Sequence, residues 1–263
     1  MSARGAASPK PAALTRRQRS VLAAVQELGF VTIDGLAREF EVSSQTIRRD
    51  IIKLQQANYL HRFHGGAGLT DGTFRPGYAQ KLTTAPAGKE RIGRAVAEMI
   101  PDGASVYLDV GTTVEAVARA LLSKMTLRII TCSVSVAMIF CSHGKFDVFV
   151  TGGSVRGANG SLVGSVTTES LKMFRVDYAV IGFGGFDDDG APMDFDLEKI
   201  AVRQVALAHS RHGIAVADAS KFGKAGVARV APLSAFHALV TDNEPPKPLR
   251  RLFDTAGVRC VVA

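Results

Sequence analysis

From Lys89 to its end, this chain alternates short apolar runs with segments of helical period, and few folds accommodate that pattern. The apolar runs fall at 105–109, 127–131, 147–151, 178–181, 214–218, 238–241 and 258–262. Helical spacing fits 91–100, 114–122, 134–141, 165–174 and 197–208 between them. Strand–helix alternation predicts a mostly parallel sheet wrapped by helices. Uninterrupted apolar strands such as Ala179-Val180-Ile181 agree with burial on both faces. No internal repeat is visible.

The first quarter follows a different rule. Thr15 can cap a helix from Arg16 to about Leu28, with Val21, Leu22, Val25 and Leu28 as its apolar stripe and Gly29 as its stop. Thr32 caps a short second helix through Phe40, with Leu36, Ala37 and Phe40 inward, and Glu41-Val42 makes a turn. Ser43 then opens a third helix reaching about Ala57, with Val42 and Ile47 as a hydrophobic staple. Ile47, Ile51 and Leu54 repeat at helical spacing and face inward, which leaves Ser44, Gln45, Arg48 and Arg49 toward solvent and Thr46 near the rim. Short hydroxyls, an amide and guanidiniums suit base edges and phosphates. The alternation from Tyr59 to His64, ending at Gly65-Gly66, predicts a β wing. Three helices and a wing predict a winged helix-turn-helix.

Charge supports that division. The chain carries 32 Lys+Arg against 24 Asp+Glu, a net of +8. Ten of the basic residues and only five acids lie in the first 69 residues, so most of the excess belongs to the first quarter. A concentrated positive field suits a polyanion. Residues 1–13, small, proline-containing and acid-free, are expected to be a disordered tail. The expected organisation is therefore a tail over 1–13, a DNA-binding domain over 14–69, a Gly- and Pro-rich linker over 70–88, and an α/β domain over 89–263.

Several function classes are excluded or weakened. Cys132, Cys141 and Cys260 form no C-x-x-C and are too few for a disulfide framework. No apolar run approaches the roughly 18 residues of a membrane helix, and the N-terminus lacks a secretory apolar core. A cytoplasmic protein without membrane partner, metal or cofactor is expected. Gly182-x-Gly184 meets Asp187 where a dinucleotide fingerprint needs glycine, and no P-loop or nucleophile elbow is present. His209-x-x-His212 lacks a third metal ligand, and Asp187-Asp188-Asp189-Gly190 fits a solvated turn.

Ligands of open α/β sheets bind where strands end and helices begin. Three such ends here favour anions: Asp109-Val110-Gly111-Thr112-Thr113, Thr151-Gly152-Gly153-Ser154-Val155-Arg156, and Asp218-Ala219-Ser220-Lys221-Phe222-Gly223. Outward backbone amides, hydroxyls, a guanidinium and an ammonium on one edge suit a small phosphorylated ligand.

These motifs, in this order, resemble the DeoR family of bacterial transcription regulators. The resemblance rests on 43–50 and His64-Gly65-Gly66-Ala67 in the head. In the second domain it rests on Lys89-Glu90-Arg91-Ile92, 108–113, Thr151-Gly152-Gly153 and Asp218-x-Ser220-Lys221-Phe222-Gly223. It covers about residues 15–245. It implies a sugar-phosphate sensor similar to the Rossmann-like ribose-5-phosphate isomerase fold, binding retained and catalysis absent. It also implies operator double-stranded DNA as partner, contacted by Ser43, Ser44, Gln45, Thr46, Arg48, Arg49 and Arg62. The implied effector site comprises Asp109, Gly111, Thr112, Thr113, Gly152, Gly153, Arg156, Glu198, Asp218 and Lys221.

Phe195-Asp196, Ser210-Arg211-His212, 218–223 and Thr241-Asp242 before Pro245-Pro246 are similar to the branch of the family that answers to glycerol 3-phosphate. Cys132 stands where relatives carry Asn, and Glu198 is shifted from the family's glutamate. Paired operator half-sites imply a homo-oligomer, dimer or tetramer. The competing readings are a sugar-phosphate isomerase with a basic appendage, its base drawn from Asp109, Glu198 or Asp218, and a DNA binder without any ligand.

Overall fold

The structure, a computed structural model, describes residues 14–28, 30–57, 59–63, 66–68, 78–157, 159–224 and 226–263. The expected tail, the glycine stop at Gly29, His64-Gly65 and residues 70–77 of the expected linker lie outside them. The chain's contacts divide it into two units after Gly77.

The first unit contains α1 (Arg16–Leu28), β1 (Phe30–Thr32), α2 (Ile33–Glu39), α3 (Ser44–Gln56), β2 (His61–Phe63) and β3 (Gly66–Gly68). All three expected caps form, with Thr15 Oγ1 accepting the Gln18 amide at 3.2 Å. Thr32 Oγ1 accepts the Gly35 amide at 3.0 Å, and Ser43 Oγ accepts the Thr46 amide at 3.2 Å. Glu41 holds a left-handed φ of 52° in the turn between α2 and α3. The wing is an antiparallel sheet of order β1-β3-β2, with one strand more than the sequence pattern suggests. Val21, Val25, Leu36, Ile47, Ile51, Leu54 and Leu60 form its core, while Phe40 and Val42 pack at its margin. Asp50 shares the inward face of α3 at 4% exposure. It accepts Arg17 Nε at 2.5 Å and Gln18 Nε2 at 3.1 Å, so a buried carboxylate ties α3 to α1.

The second unit runs α4 (Tyr78–Thr83), α5 (Pro86–Met99), β4 (Ser105–Leu108), α6 (Thr112–Leu121), β5 (Leu127–Thr131), α7 (Val134–Cys141), β6 (Phe146–Val150), β7 (Ser154–Arg156), β8 (Ser161–Val163), α8 (Ser165–Lys172), β9 (Val176–Gly182), β10 (Gly185–Phe186), β11 (Pro192–Asp194), α9 (Leu197–Ala208), β12 (Ser210–Val216), β13 (Ala228–Arg229), β14 (Ala238–Thr241), α10 (Lys247–Thr255) and β15 (Arg259–Val262). Seven strands form a sheet of order β15-β14-β12-β9-β4-β5-β6, parallel throughout.

Both faces are covered, as the apolar strands require. Val180 packs with α5, α6 and α7 residues, whereas Ala179 and Ile181 pack with Leu171, Ile200 and Phe253 of α8, α9 and α10. β7 and β8 form a hairpin, and β10, β11 and β13 a small antiparallel sheet. The strand order reverses between β4 and β9, which makes the crevice at their carboxyl ends the topological switch point. One expectation is corrected. Residues 78–88 are not a plain connector: Tyr78–Thr83 is helical, and Pro86 opens α5 at a position where its missing N–H costs nothing.

Candidate functional site

The polar face of α3 is built as the sequence pattern suggests. With Ile47, Asp50, Ile51 and Leu54 buried, Gln45, Arg48 and Arg49 are exposed together. They make no hydrogen bond or ion pair among the described residues. Ser43 and Ser44 are engaged instead. Ser43 Oγ caps the helix and lies 2.9 Å from Thr46 Oγ1, and Ser44 Oγ donates to Asp34 Oδ1 at 2.8 Å. Ser43 and Thr46 therefore set the helix terminus, and Gln45, Arg48 and Arg49 are the polar groups left exposed on this face. Arg62 stands on β2, and its side chain lies outside the described residues.

The second unit gathers its chemistry at the carboxyl edge of the sheet. Gly111 ends the β4 loop as the N-cap of α6 with φ of 130°, a conformation open to glycine, and leaves the α6 amides facing the crevice. Gly153 has φ of 131°, and a Cβ there would fall 2.1 Å from Thr167 Oγ1 and 2.7 Å from Val163 O. Thr167 Oγ1 in turn donates to Gly152 O at 2.7 Å, which fixes this loop against α8.

Asp218, past the end of β12, accepts the Ser220 amide with Oδ1 at 3.0 Å, while its Oδ2 is buried with no hydrogen-bond partner among the described residues. Thr241 Oγ1, at the end of β14, is likewise buried and unpartnered. Two lysines attend Asp218. Burial depresses the Lys221 ammonium, opposed by the Asp218 charge. Burial also depresses Lys89, opposed by Asp218, Glu115 and Asp242. Lys89 was absent from the expected site residues, although it opens the Lys89-Glu90-Arg91-Ile92 motif.

Three expected ligand contacts are paired within the protein. Asp109 is buried, and its Oδ2 accepts Arg203 Nε at 2.6 Å and the Gly182 amide at 3.2 Å. Arg203 Nη1 also reaches Asp194 Oδ2 at 2.5 Å, completing a buried triad across the switch point. Burial raises the Asp109 carboxyl, against the Arg203 charge that lowers it. Asp109 thus joins β4 to β9 and α9 through its Oδ2. The one signal for Arg203 was a charged residue on the core side of α9 beside Ile200, Val202 and Ala206. Glu198 pairs with Arg156, which also lies 4.0 Å from Asp196, so the β7–β8 hairpin is latched to the start of α9.

Other polar features are structural. Asp187 and Asp189 hold Arg229 at 3.0 and 2.7 Å, and His212 packs against His237 and Tyr178. Cys132 lies 3.0 Å from Tyr107 Oη, and burial pushes its thiol up to about 12, so it is a neutral core group at physiological pH. Under native conditions a thiol alkylating reagent is therefore expected to modify exposed Cys141 and spare Cys132 until the protein unfolds, as read by peptide mass spectrometry. Equal native labelling of both would contradict this burial. Among the described residues, no helix is long and apolar enough to cross a membrane.

Comparison with known proteins agrees with this architecture. Residues 17–73 match the DeoR-like helix-turn-helix domain, and residues 84–243 match the DeoR C terminal sensor domain. The chain is 36% identical to the glycerol-3-phosphate regulon repressor of Escherichia coli (strain K12), over 88% of this chain and 92% of that one. It is 38% identical to the HTH-type transcriptional repressor CsqR of the same organism, over 94% of each. Ribose 5-phosphate isomerase A from Methanocaldococcus jannaschii covers 51% of this chain and 52% of its own, at 14% identity and a TM-score of 0.38. A helix-turn-helix head and a parallel α/β sensor, each matched to its family in the expected order, make this chain a member of the DeoR family of transcriptional repressors.

Proposed function

We propose that the protein represses genes of glycerol 3-phosphate or related carbohydrate metabolism, and that a phosphorylated metabolite releases it from its operator. Gln45 and Arg48 would read base edges, and Arg49 and Arg62 would hold phosphates. In the sensor, the α6 amides at Gly111–Thr113, with Lys221 and Lys89, suit the phosphate. The observation that carries this reading is the buried, unpartnered Asp218 Oδ2 beside two desolvated lysines. A buried acceptor without a donor is costly, and a ligand hydroxyl would satisfy it.

Two of the three acids nominated as an isomerase base are engaged elsewhere, Asp109 with Arg203 and Glu198 with Arg156, which leaves Asp218 as the carboxylate with an open oxygen; the absence of turnover in the titration below separates the two readings. A cytoplasmic homo-oligomer fits operators built of paired half-sites. The relative named for the glycerol-3-phosphate regulon supports glycerol 3-phosphate as the first candidate effector.

The test is a thermal-shift titration with sn-glycerol 3-phosphate, ribose 5-phosphate, glucose 6-phosphate and inorganic phosphate, with glycerol as control. The expected outcome is a melting temperature that climbs with concentration for at least one organic phosphate, without turnover, and not for glycerol. A flat response to every phosphate would refute the sensor reading.

A further inference from the structure

The first element of the sensor unit, α4 with Thr84, is a strap held by donors that also belong to the effector edge. Lys89 Nζ donates to Lys81 O at 2.5 Å and to Thr84 O at 2.6 Å. Thr112 Oγ1 donates to the same Lys81 O at 3.4 Å. These carbonyls close the end of a six-residue helix, where a helix leaves its C=O groups without internal partners. At the other end of the strap, Tyr78 Oη donates to the Glu115 carboxylate, 3.0 Å from Oε1 and 2.9 Å from Oε2. Burial and that hydrogen bond push the Tyr78 phenol up, so it stays a donor at neutral pH. The strap ends at Ala85, whose φ of 48° is a left-handed conformation that L-residues adopt rarely, directly before the rigid start of α5 at Pro86. Toward the N-terminus the chain leads from the strap back to the DNA-binding head.

We propose that this strap is a two-position relay, docked on α6 in the operator-binding state and undocked when an anionic effector claims the Lys89 and Thr112 donors. The proposal rests on the effector reading given above. An oxyanion at the α6 N-terminus is a stronger acceptor for an ammonium and a hydroxyl than a neutral carbonyl is. Lys89 has three protons, and two of them serve the strap. Binding of the anion and docking of the strap therefore draw on the same groups, and two events that compete for one set of donors are negatively coupled. The Glu115 end of the clasp also acts electrostatically on Lys89, but the Tyr78 hydroxyl is a different donor from Lys89 and Thr112. Removing that hydroxyl weakens strap docking while leaving Lys89, Thr112 and Glu115 in place, so it offers a handle on the relay.

The experiment uses the full-length protein with Tyr78→Phe. Operator affinity is measured by fluorescence anisotropy without any effector, and affinity for sn-glycerol 3-phosphate and inorganic phosphate by calorimetry. A weakened clasp is expected to lower operator affinity and tighten anion binding, each about five- to tenfold, because linkage is reciprocal. Hydrogen exchange of the 78–84 amides in the wild-type protein is expected to speed up when the anion is added. A folded Tyr78→Phe protein with unchanged operator affinity would overturn the relay, as would exchange that slows or holds constant upon anion binding. Absence of binding by both anions to the wild-type protein would instead sink glycerol 3-phosphate as the effector, while the operator measurement still judges the strap.

Discussion

Replacing Arg203 with alanine is expected to cost the sensor unit about 3–5 kcal/mol, because it leaves two buried carboxylates facing each other without their shared cation. Arg203 is 1% exposed and holds Asp109 and Asp194, which are themselves almost wholly buried. For a unit of this size the loss corresponds to roughly 6–20 °C in melting temperature. The deficit has a direction in pH. Burial already raises the Asp109 carboxyl above its ordinary value, and removing the guanidinium raises it further. A carboxyl that binds its proton more tightly when folded loses stability as pH rises through the interval between its unfolded and folded values. The variant's deficit should therefore be larger at pH 8 than at pH 5. Calorimetric unfolding at both pH values measures it, and a deficit that grows upon acidification would contradict the buried triad. A triple variant with Asn at 109 and 194 and Met at 203 should recover much of the loss, since a buried ion cluster is often no more stable than its neutral replacement.

The second large effect falls on DNA. Arg48→Ala should weaken binding to the specific operator by about 1–3 kcal/mol, roughly 5- to 150-fold, while changing affinity for a scrambled duplex far less. Arg49→Ala should weaken both duplexes alike and flatten the salt dependence by about one counterion. The reason lies in the packing of α3. Ile47, Ile51 and Leu54 fix its rotation, and the Asp50 carboxylate locks it to α1, so Arg48 and Arg49 stand on one fixed exposed face. A specific-to-scrambled affinity ratio unchanged by Arg48→Ala, at fixed salt, would remove Arg48 from base recognition.

Much of this was legible in the chain. The α3 start was marked by Ser43 and the Val42–Ile47 pair, because capping and stapling are local chemistry. The parallel strands were legible because burial on both faces leaves uninterrupted apolar runs. Where the reading fell short, the missing information was non-local or masked by polar residues. β12 begins at Ser210 rather than near Ile214 because the polar Ser210-Arg211-His212 stretch pairs with β9 while half in solvent. α10 carries Leu249, Leu252 and Phe253 at helical spacing, but it is only nine residues long and opens among prolines, which read as a turn. Asp109 looked like a ligand group because an acid at a strand end usually faces the crevice, and its true partner lies 94 positions further along the chain. Arg156 and Glu198 were each assigned to the effector, and only the fold shows that they satisfy each other.

The central pairing of β4 with β9 has a consequence for how the protein comes into being. Val106 meets Tyr178, and the intervening chain first builds the β5 and β6 side of the sheet. The head, by contrast, closes its contacts within its own short stretch. Long-range parallel pairing carries a large loop-closure entropy and folds slowly, whereas local helical contacts form fast. During synthesis the head therefore matures first, while the sensor's middle seam waits for β9 to leave the ribosome. Until then β4 is paired on one side only, by β5, and its other edge stays open to aggregation.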